Sequence, residues 1–208
     1  MQPQAEPQRD SNSPKRRAIV TAAGDLFVAQ GYGAVSMDAI ARAATVSKAT
    51  LYAHFPSKDV LFATIIREAC QEGIRVGGFI PAADQDVREA LAGLARRLMH
   101  FLMEPRPLAI YRVVVSESVR FPELGRAFYE AGPATFRTAF GDWLVSQHKA
   151  GHMRVDDPEL AADQFISMLR GGLYMRATLG LAAPPWDDEI EATIQAAVAA
   201  FSRAYAIN

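Results

Sequence analysis

Between positions 47 and 54 the chain places Ser47, Lys48, Thr50, Tyr52 and His54, which together carry two hydroxyls, an ammonium, a phenol and an imidazole. All of these groups hydrogen-bond phosphate oxygens or base edges, and a short helix with so many exposed donors is poor core material. Nothing comparable supports covalent or acid–base catalysis. The chain has no phosphate-cradling G-x-x-x-x-G-K-[ST] loop, no H-E-x-x-H zinc helix, no G-x-S-x-G elbow and no EF-hand loop. Its one cysteine, Cys70, has no second thiol with which to form a disulfide or a metal pair. His148 and His152 are spaced for a metal on a helix, but Gly151 ends that helix between them. The acidic pairs Asp156, Asp157 and Asp187, Asp188 stand just before expected helices and read as caps. No catalytic residue, metal site or cofactor is expected.

The donors of 47–54 need a rigid mount, and the flanking residues supply one. Ser36 is an N-cap residue ahead of the apolar positions Met37, Ile40, Ala41 and Ala44; Thr45 and Val46 make a short break; Ser47 caps a second helix over 48–54, closed by Phe55 and Pro56. Ala41 and Ala44 are small where the two helices must approach. Ile40, Val46 and Leu51 bury between them and a preceding helix over 15–30, whose stripe is Ile19, Ala22, Ala23, Leu26 and Phe27 and whose stop signals are Gly31 and Gly33. Two short helices joined by a tight turn make a helix-turn-helix, whose second helix lies in the DNA major groove.

The rest of the pattern is also helical. Segments run from Ser57 to the glycines at 73, 77 and 78, then over 87–103, 108–119, 123–148 with Pro133 as an interruption, and 158–180. A last helix follows Pro184 and Pro185 and ends near Tyr205. The expectation is an all-α protein of about nine helices, with no strand and no repeat of fixed period. It divides into a flexible arm over 1–14, a DNA-binding head over 15–56 (helix-turn-helix 36–55), and a larger helical domain over 57–208.

With 208 residues, half of them hydrophobic and 22% charged, the chain has the profile of a soluble globular protein. No apolar run is long enough for a membrane span, and the start lacks the apolar block of a signal peptide, so a cytoplasmic protein without membrane partners is expected. Net charge is −1. Residues 1–60 carry seven basic and five acidic side chains, and 61–208 carry fifteen and eighteen, so near-neutrality hides a modestly basic head on an acidic body. Such a head must bind DNA through a few placed contacts, since bulk charge gives little help.

The segments RRAIVTAAGDLFVAQGY, SMDAIA and VSKATLYAHFPSKDVLF resemble the TetR family of bacterial transcriptional regulators over residues 15–65. YRVVVSESVRFPELGRAFYEAGP, at 111–133, is similar to the AefR-type subgroup of C-terminal domains. Two positions depart from the family pattern: Thr45 stands where the turn usually has Gly, and Ala49 where the recognition helix often has Gly. The resemblance implies that Ser36, Tyr52, His54 and Lys58 hold phosphates and that Lys48, Ala49 and Thr50 face the bases, with Ser47 also among the DNA-binding residues. Lys15, Arg16 and Arg17 are then placed to reach the adjacent minor groove or backbone.

For the larger domain the resemblance implies a pocket for a small-molecule effector and a two-fold dimer. Phe101, Tyr111, Phe136, Phe140 and Trp143 are the candidate walls, suited to an apolar or aromatic compound. Gly171, Gly172, Ala192, Ala196 and Ala200 are the candidate small-residue dimer surface. The expected function is that of a regulator, not an enzyme, which binds a palindromic double-stranded DNA operator and releases it when the inducer binds. The other reading is a helical small-molecule or protein-binding module with a vestigial helix-turn-helix, for which Thr45 is the one sequence feature.

Overall fold

A computed structural model describes residues 13–77, 80, 86–181 and 186–206, with 70–77 described by backbone alone. Most of the arm over 1–14, the side chain of Cys70, Gly78, Pro184 and Pro185 lie outside the described residues. Every described element is a helix. There are eleven: α1 (Pro14–Gln30), α2 (Met37–Ala43), α3 (Lys48–His54), α4 (Lys58–Gly77), α5 (Val87–Met103), α6 (Pro105–Glu117), α7 (Pro122–Ala131), α8 (Pro133–Lys149), α9 (Pro158–Leu169), α10 (Gly172–Thr178) and α11 (Asp187–Ala204).

Two helices expected to be continuous are divided, which raises the count from about nine. Pro133 lacks the N–H a continuing helix needs, so 123–148 becomes α7 and α8, with Pro133 at the start of the second. Arg170 caps α9 and Gly171 departs from helical dihedrals, so 158–180 becomes α9 and α10. Pro105 starts α6 one turn earlier than expected, because proline is compatible with a first turn.

The apolar residues gather into two clusters. One surrounds Leu91, Leu94, Met99, Phe165 and Phe201 and joins α5, α8, α9, α10 and α11. The other holds Ile19, Phe27, Ile40 and Leu51 of α1–α3 together with Leu61, Phe62, Ile65 and Ile66 of α4, Ile110, Val113 and Val114 of α6, and Leu124 of α7. The boundary expected at 56/57 therefore does not separate two cores: the first half of α4 and parts of α6 and α7 complete the core of the head. Among the described residues no helix is long and apolar enough to cross a membrane.

Candidate nucleic-acid interface and cavity

The helix-turn-helix is built by three hydroxyl caps. Ser13, Ser36 and Ser47 adopt extended dihedrals and accept hydrogen bonds from the backbone N–H groups of Arg16, Ala39 and Thr50, starting α1, α2 and α3. The turn after α2 closes with the N–H of Thr45 donating to the carbonyl of Arg42 (3.1 Å) and that of Val46 to the carbonyl of Ala41 (3.0 Å). This pair of bonds is the Schellman motif, and it requires a left-handed residue at Thr45. Thr45 has φ 54°, the one positive φ outside glycine among the described residues. Its departure from glycine thus leaves the turn geometry intact at the cost of strain.

On α3 one face is buried and the other is open. Leu51 is fully buried, as is Phe55 just beyond the helix, whereas Ser47, Lys48, Ala49 and Tyr52 are exposed and Thr50 and His54 half-buried. Tyr52 is 49% exposed, so its ring belongs to the surface. Lys48 reaches back to α2, where its Nζ pairs with Asp38 at 2.6 Å. The hydroxyls of Ser47 and Thr50 lie 2.8 Å apart. Lys15 and Arg17 are exposed at the start of α1; Arg16 instead pairs with Glu68 of α4 and lies over the Phe55 ring.

Lys58, expected on phosphate, points the other way. Its Nζ donates to the carbonyls of Tyr32 (2.8 Å) and Val35 (3.0 Å) and sits 4.3 Å from the centroid of the Tyr32 ring. Desolvation holds its ammonium below the usual lysine range, partly offset by Asp59, Glu117 and Glu123. The same knot includes the Tyr32 hydroxyl, donating to Asp59 at 2.5 Å, and the N–H of Gly33, donating to both carboxylate oxygens of Glu117 at 3.3 Å. Burial first, and the Asp59 hydrogen bond second, push the Tyr32 phenol far above the ordinary tyrosine range. Sequence reasoning missed this joint between the end of α1, the start of α4 and the end of α6, because its members are distant in the chain and none belongs to a recognisable motif.

A cavity of about 900 Å³ lies under the head, walled by α4 to α9 with Tyr174 of α10. Of the candidate walls, Phe101, Tyr111 and Phe136 line it, together with Phe128, Arg170 and Tyr174. Phe140 and Trp143 do not: they are 0% and 5% exposed, stack on each other with centroids 5.8 Å apart, and belong to the core of the body. The three rings share one face of α8 at i, i+4 and i+7, so the difference is position along the helix: Phe136 borders the cavity near its start, while Phe140, one turn on, packs on Phe165 of α9 in the core. The indole N–H of Trp143 is buried without a hydrogen-bond partner. Arg170 and Tyr174 were legible only as a cation four residues before an aromatic in a largely apolar segment.

The two histidines are used locally: His148 Nδ1 accepts from the N–H of Val155 (3.1 Å), and His152 Nδ1 lies 2.9 Å from Gln147 Oε1. On the candidate dimer surface Gly171, Gly172, Ala192 and Ala196 are exposed and Ala200 is half-buried.

Comparison with known proteins agrees with this architecture. Residues 19–65 match the family model for bacterial regulatory proteins of the tetR family, and residues 89–207 match that for the C-terminal domain of AefR-like transcriptional repressors. The chain is 25% identical over 171 residues to the transcriptional repressor Rv1474c of Mycobacterium tuberculosis, covering 82% of this chain and 86% of that one. Its fold superposes on the flavonoid-responsive regulator FrrA with a TM-score of 0.80 and 40% identity, over 92% of this chain and 97% of that one. A TetR transcriptional regulator from Agrobacterium tumefaciens gives a TM-score of 0.75 and 28% identity over 95% and 97% of the two chains. With its capped helix-turn-helix, its all-helical body and a family match over more than half its length, the chain belongs to the TetR family of bacterial transcriptional regulators.

Proposed function

We propose that this regulator binds a palindromic operator as a homodimer and releases it when an aromatic small molecule enters the cavity of the body. The observation that carries the reading is the cavity's position. Its wall includes Asp59 and Val60 of the first turn of α4, immediately after Lys58, which ties that helix to the head. A ligand that favours one placement of α4 biases the placement of α3, and it must weaken operator binding by the factor by which the operator weakens its own. The size of the cavity suits a drug-sized molecule, and its aromatic lining suits an aromatic one. A relative of 40% identity is named as flavonoid-responsive, which supports the same class.

For DNA, the exposed residues of α3 carry the recognition. Lys48 is the candidate reader of guanine and Thr50 of a thymine methyl, with Ala49 close to the bases. Ser36, Ser47, Tyr52 and His54 contact phosphates, joined by Lys15 and Arg17. Lys58 is left out of this set because its donors are engaged inside the head–body joint. The dimer forms through α10 and α11: Met175, Leu179 and Leu181 are 63%, 64% and 72% exposed, next to the bare backbone of Gly171 and Gly172.

The test is a mobility shift with DNA flanking the gene. Wild type is expected to prefer one palindromic fragment over random DNA at moderate salt. Lys48→Ala should cost about 1–3 kcal/mol on that fragment and little on random DNA, whereas Tyr52→Ala should weaken binding to both. Absence of any preferred fragment would return the chain to the reading of a binding module with a vestigial helix-turn-helix.

A further inference from the structure

The cavity has one end unlike the rest. At the break between α9 and α10 the chain runs Arg170, Gly171, Gly172, and Arg170 occupies the C-cap of α9 with its N–H on the carbonyl of Ile166 at 2.9 Å. Its guanidinium carbon lies 4.8 Å from the centroid of the Tyr111 ring and 4.7 Å from that of Tyr174, so the cation rests on two phenols. The Nε is buried without a hydrogen-bond partner. Arg170 borders both the main cavity and a smaller one of about 410 Å³ that shares Tyr111, Ile166 and Tyr174 with it.

The carboxylates of the wall do not neutralise this cation. Asp163 and Glu159 pair with Arg137, and Asp59 accepts from the Tyr32 hydroxyl. Glu123 and Glu130, like Arg67 and Arg126, are exposed at the rim. No ion pair among the described residues reaches Arg170. Burial pushes the Tyr174 phenol up to about 12 against the opposing pull of the Arg170 charge and hydrogen bond, so it stays neutral and supplies a π face and a hydroxyl but no counter-charge. Ring faces attract a cation and the Tyr174 hydroxyl takes one of its hydrogen bonds, yet the unpartnered Nε leaves an edge of the guanidinium open to an anion.

From this geometry we infer that Arg170 is the specificity-determining residue of the cavity and that the ligand is an aromatic anion: its rings lie among Phe101, Phe128 and Phe136 and its charged oxygen meets the guanidinium. The inference rests on the reading of the cavity as the effector site. It adds that an uncharged molecule of the same shape binds more weakly, because it leaves a buried charged donor unsatisfied.

The experiment uses the full chain and two fluorescent probes that share one frame, 8-anilinonaphthalene-1-sulfonate and the uncharged N-phenyl-1-naphthylamine. Each is titrated into wild type, Arg170→Met and Arg170→Lys, with circular dichroism as the check on folding. Wild type should bind the sulfonate at least roughly tenfold more tightly than the neutral probe, the scale of one charge-assisted hydrogen bond. Arg170→Met should abolish that preference while leaving the neutral probe within about twofold, and Arg170→Lys should retain part of it, since lysine keeps the charge but loses the fork. Equal affinities in wild type, or a loss common to both probes in a folded Arg170→Met, would overturn the anion assignment and leave the cavity reading standing. If neither probe binds wild type, the cavity reading falls and the assignment with it. The wild-type comparison decides the matter even if Arg170→Met does not fold.

Discussion

Thr45 shows how one residue can be at odds with its position without changing the fold. Its left-handed φ of 54° is what the Schellman turn demands and what a β-branched side chain resists. The strain is on the order of 1–2 kcal/mol, and glycine would relieve it while adding some unfolded-state entropy. Thr45→Gly should therefore stabilise the protein by about 0.5–1 kcal/mol, read as a rise of roughly 1–4 °C in the calorimetric Tm, with operator affinity unchanged. A fall in Tm would mean that the Thr45 side chain makes up for its own strain. At this scale the sequence was readable for the caps and the α3 donors, because a hydroxyl at an N-cap and an exposed cation on a short helix are local properties. Lys58 was not readable: its type and place in the motif point to phosphate, but the carbonyls of Tyr32 and Val35 lie more than twenty residues away in the chain and take its protons first.

Among the elements, the helices whose ends carry their own signals fell where the pattern put them. Asp86 caps α5 through the N–H groups of Arg88 and Glu89, and the expected span 87–103 is the observed one. The breaks at Pro133 and at Gly171–Gly172 were weaker signals, since apolar periodicity continues across both. The consequence is concrete at α9 and α10, where the break turns Arg170 into a helix terminus on the cavity. The contact between α1, α4 and α6 makes a second prediction. Lys58→Met removes a donor from two carbonyls and a cation from the Tyr32 face, which should destabilise the protein by about 2–3 kcal/mol. The measurement is a urea melt, and an unchanged midpoint would show that water or another donor replaces the ammonium without loss. Gly33 belongs to the same contact: a Cβ there would meet Phe121 at 3.0 Å and Glu117 at 3.1 Å, so the backbone is held close to α6.

The whole molecule is not two beads on a string. Apolar residues of α4, α6 and α7 finish the core of the head, so α4 cannot move relative to the cavity without disturbing the packing around Leu61 and Phe62. Sequence boundaries drawn from the helix-turn-helix motif miss this, because core membership depends on which helices meet in space. Stability against alkali is a property at this scale as well. The Tyr174 phenol rises from 10.0 to about 12 on folding, so its contribution is fully present below pH 10 and is lost as pH climbs toward 12, while the unfolded chain ionises first. Tyr32 and Tyr205 shift the same way, and Lys58 the opposite way, its cost easing as pH rises toward the ordinary lysine range. The three tyrosines dominate above pH 10. Chemical denaturation of wild type should show stability falling between pH 10 and 12, and Tyr174→Phe should flatten that fall by removing one of the three ionisations. Identical pH profiles for the two proteins would assign the alkaline loss to Tyr32 and Tyr205.

The correction that moved Phe140 and Trp143 out of the cavity wall gives them another use. Phe136 faces the cavity and lies 6.0 Å from Phe140, and Phe140 lies 5.8 Å from Trp143, so an unbroken row of three rings runs from the cavity surface into the dry core. The chain has two tryptophans, and Trp143 is the one sealed from water. Its fluorescence is thus a reporter already installed in the native protein: a ligand that tilts Phe136 changes what the buried indole sees, and occupancy can be followed optically without attaching a label.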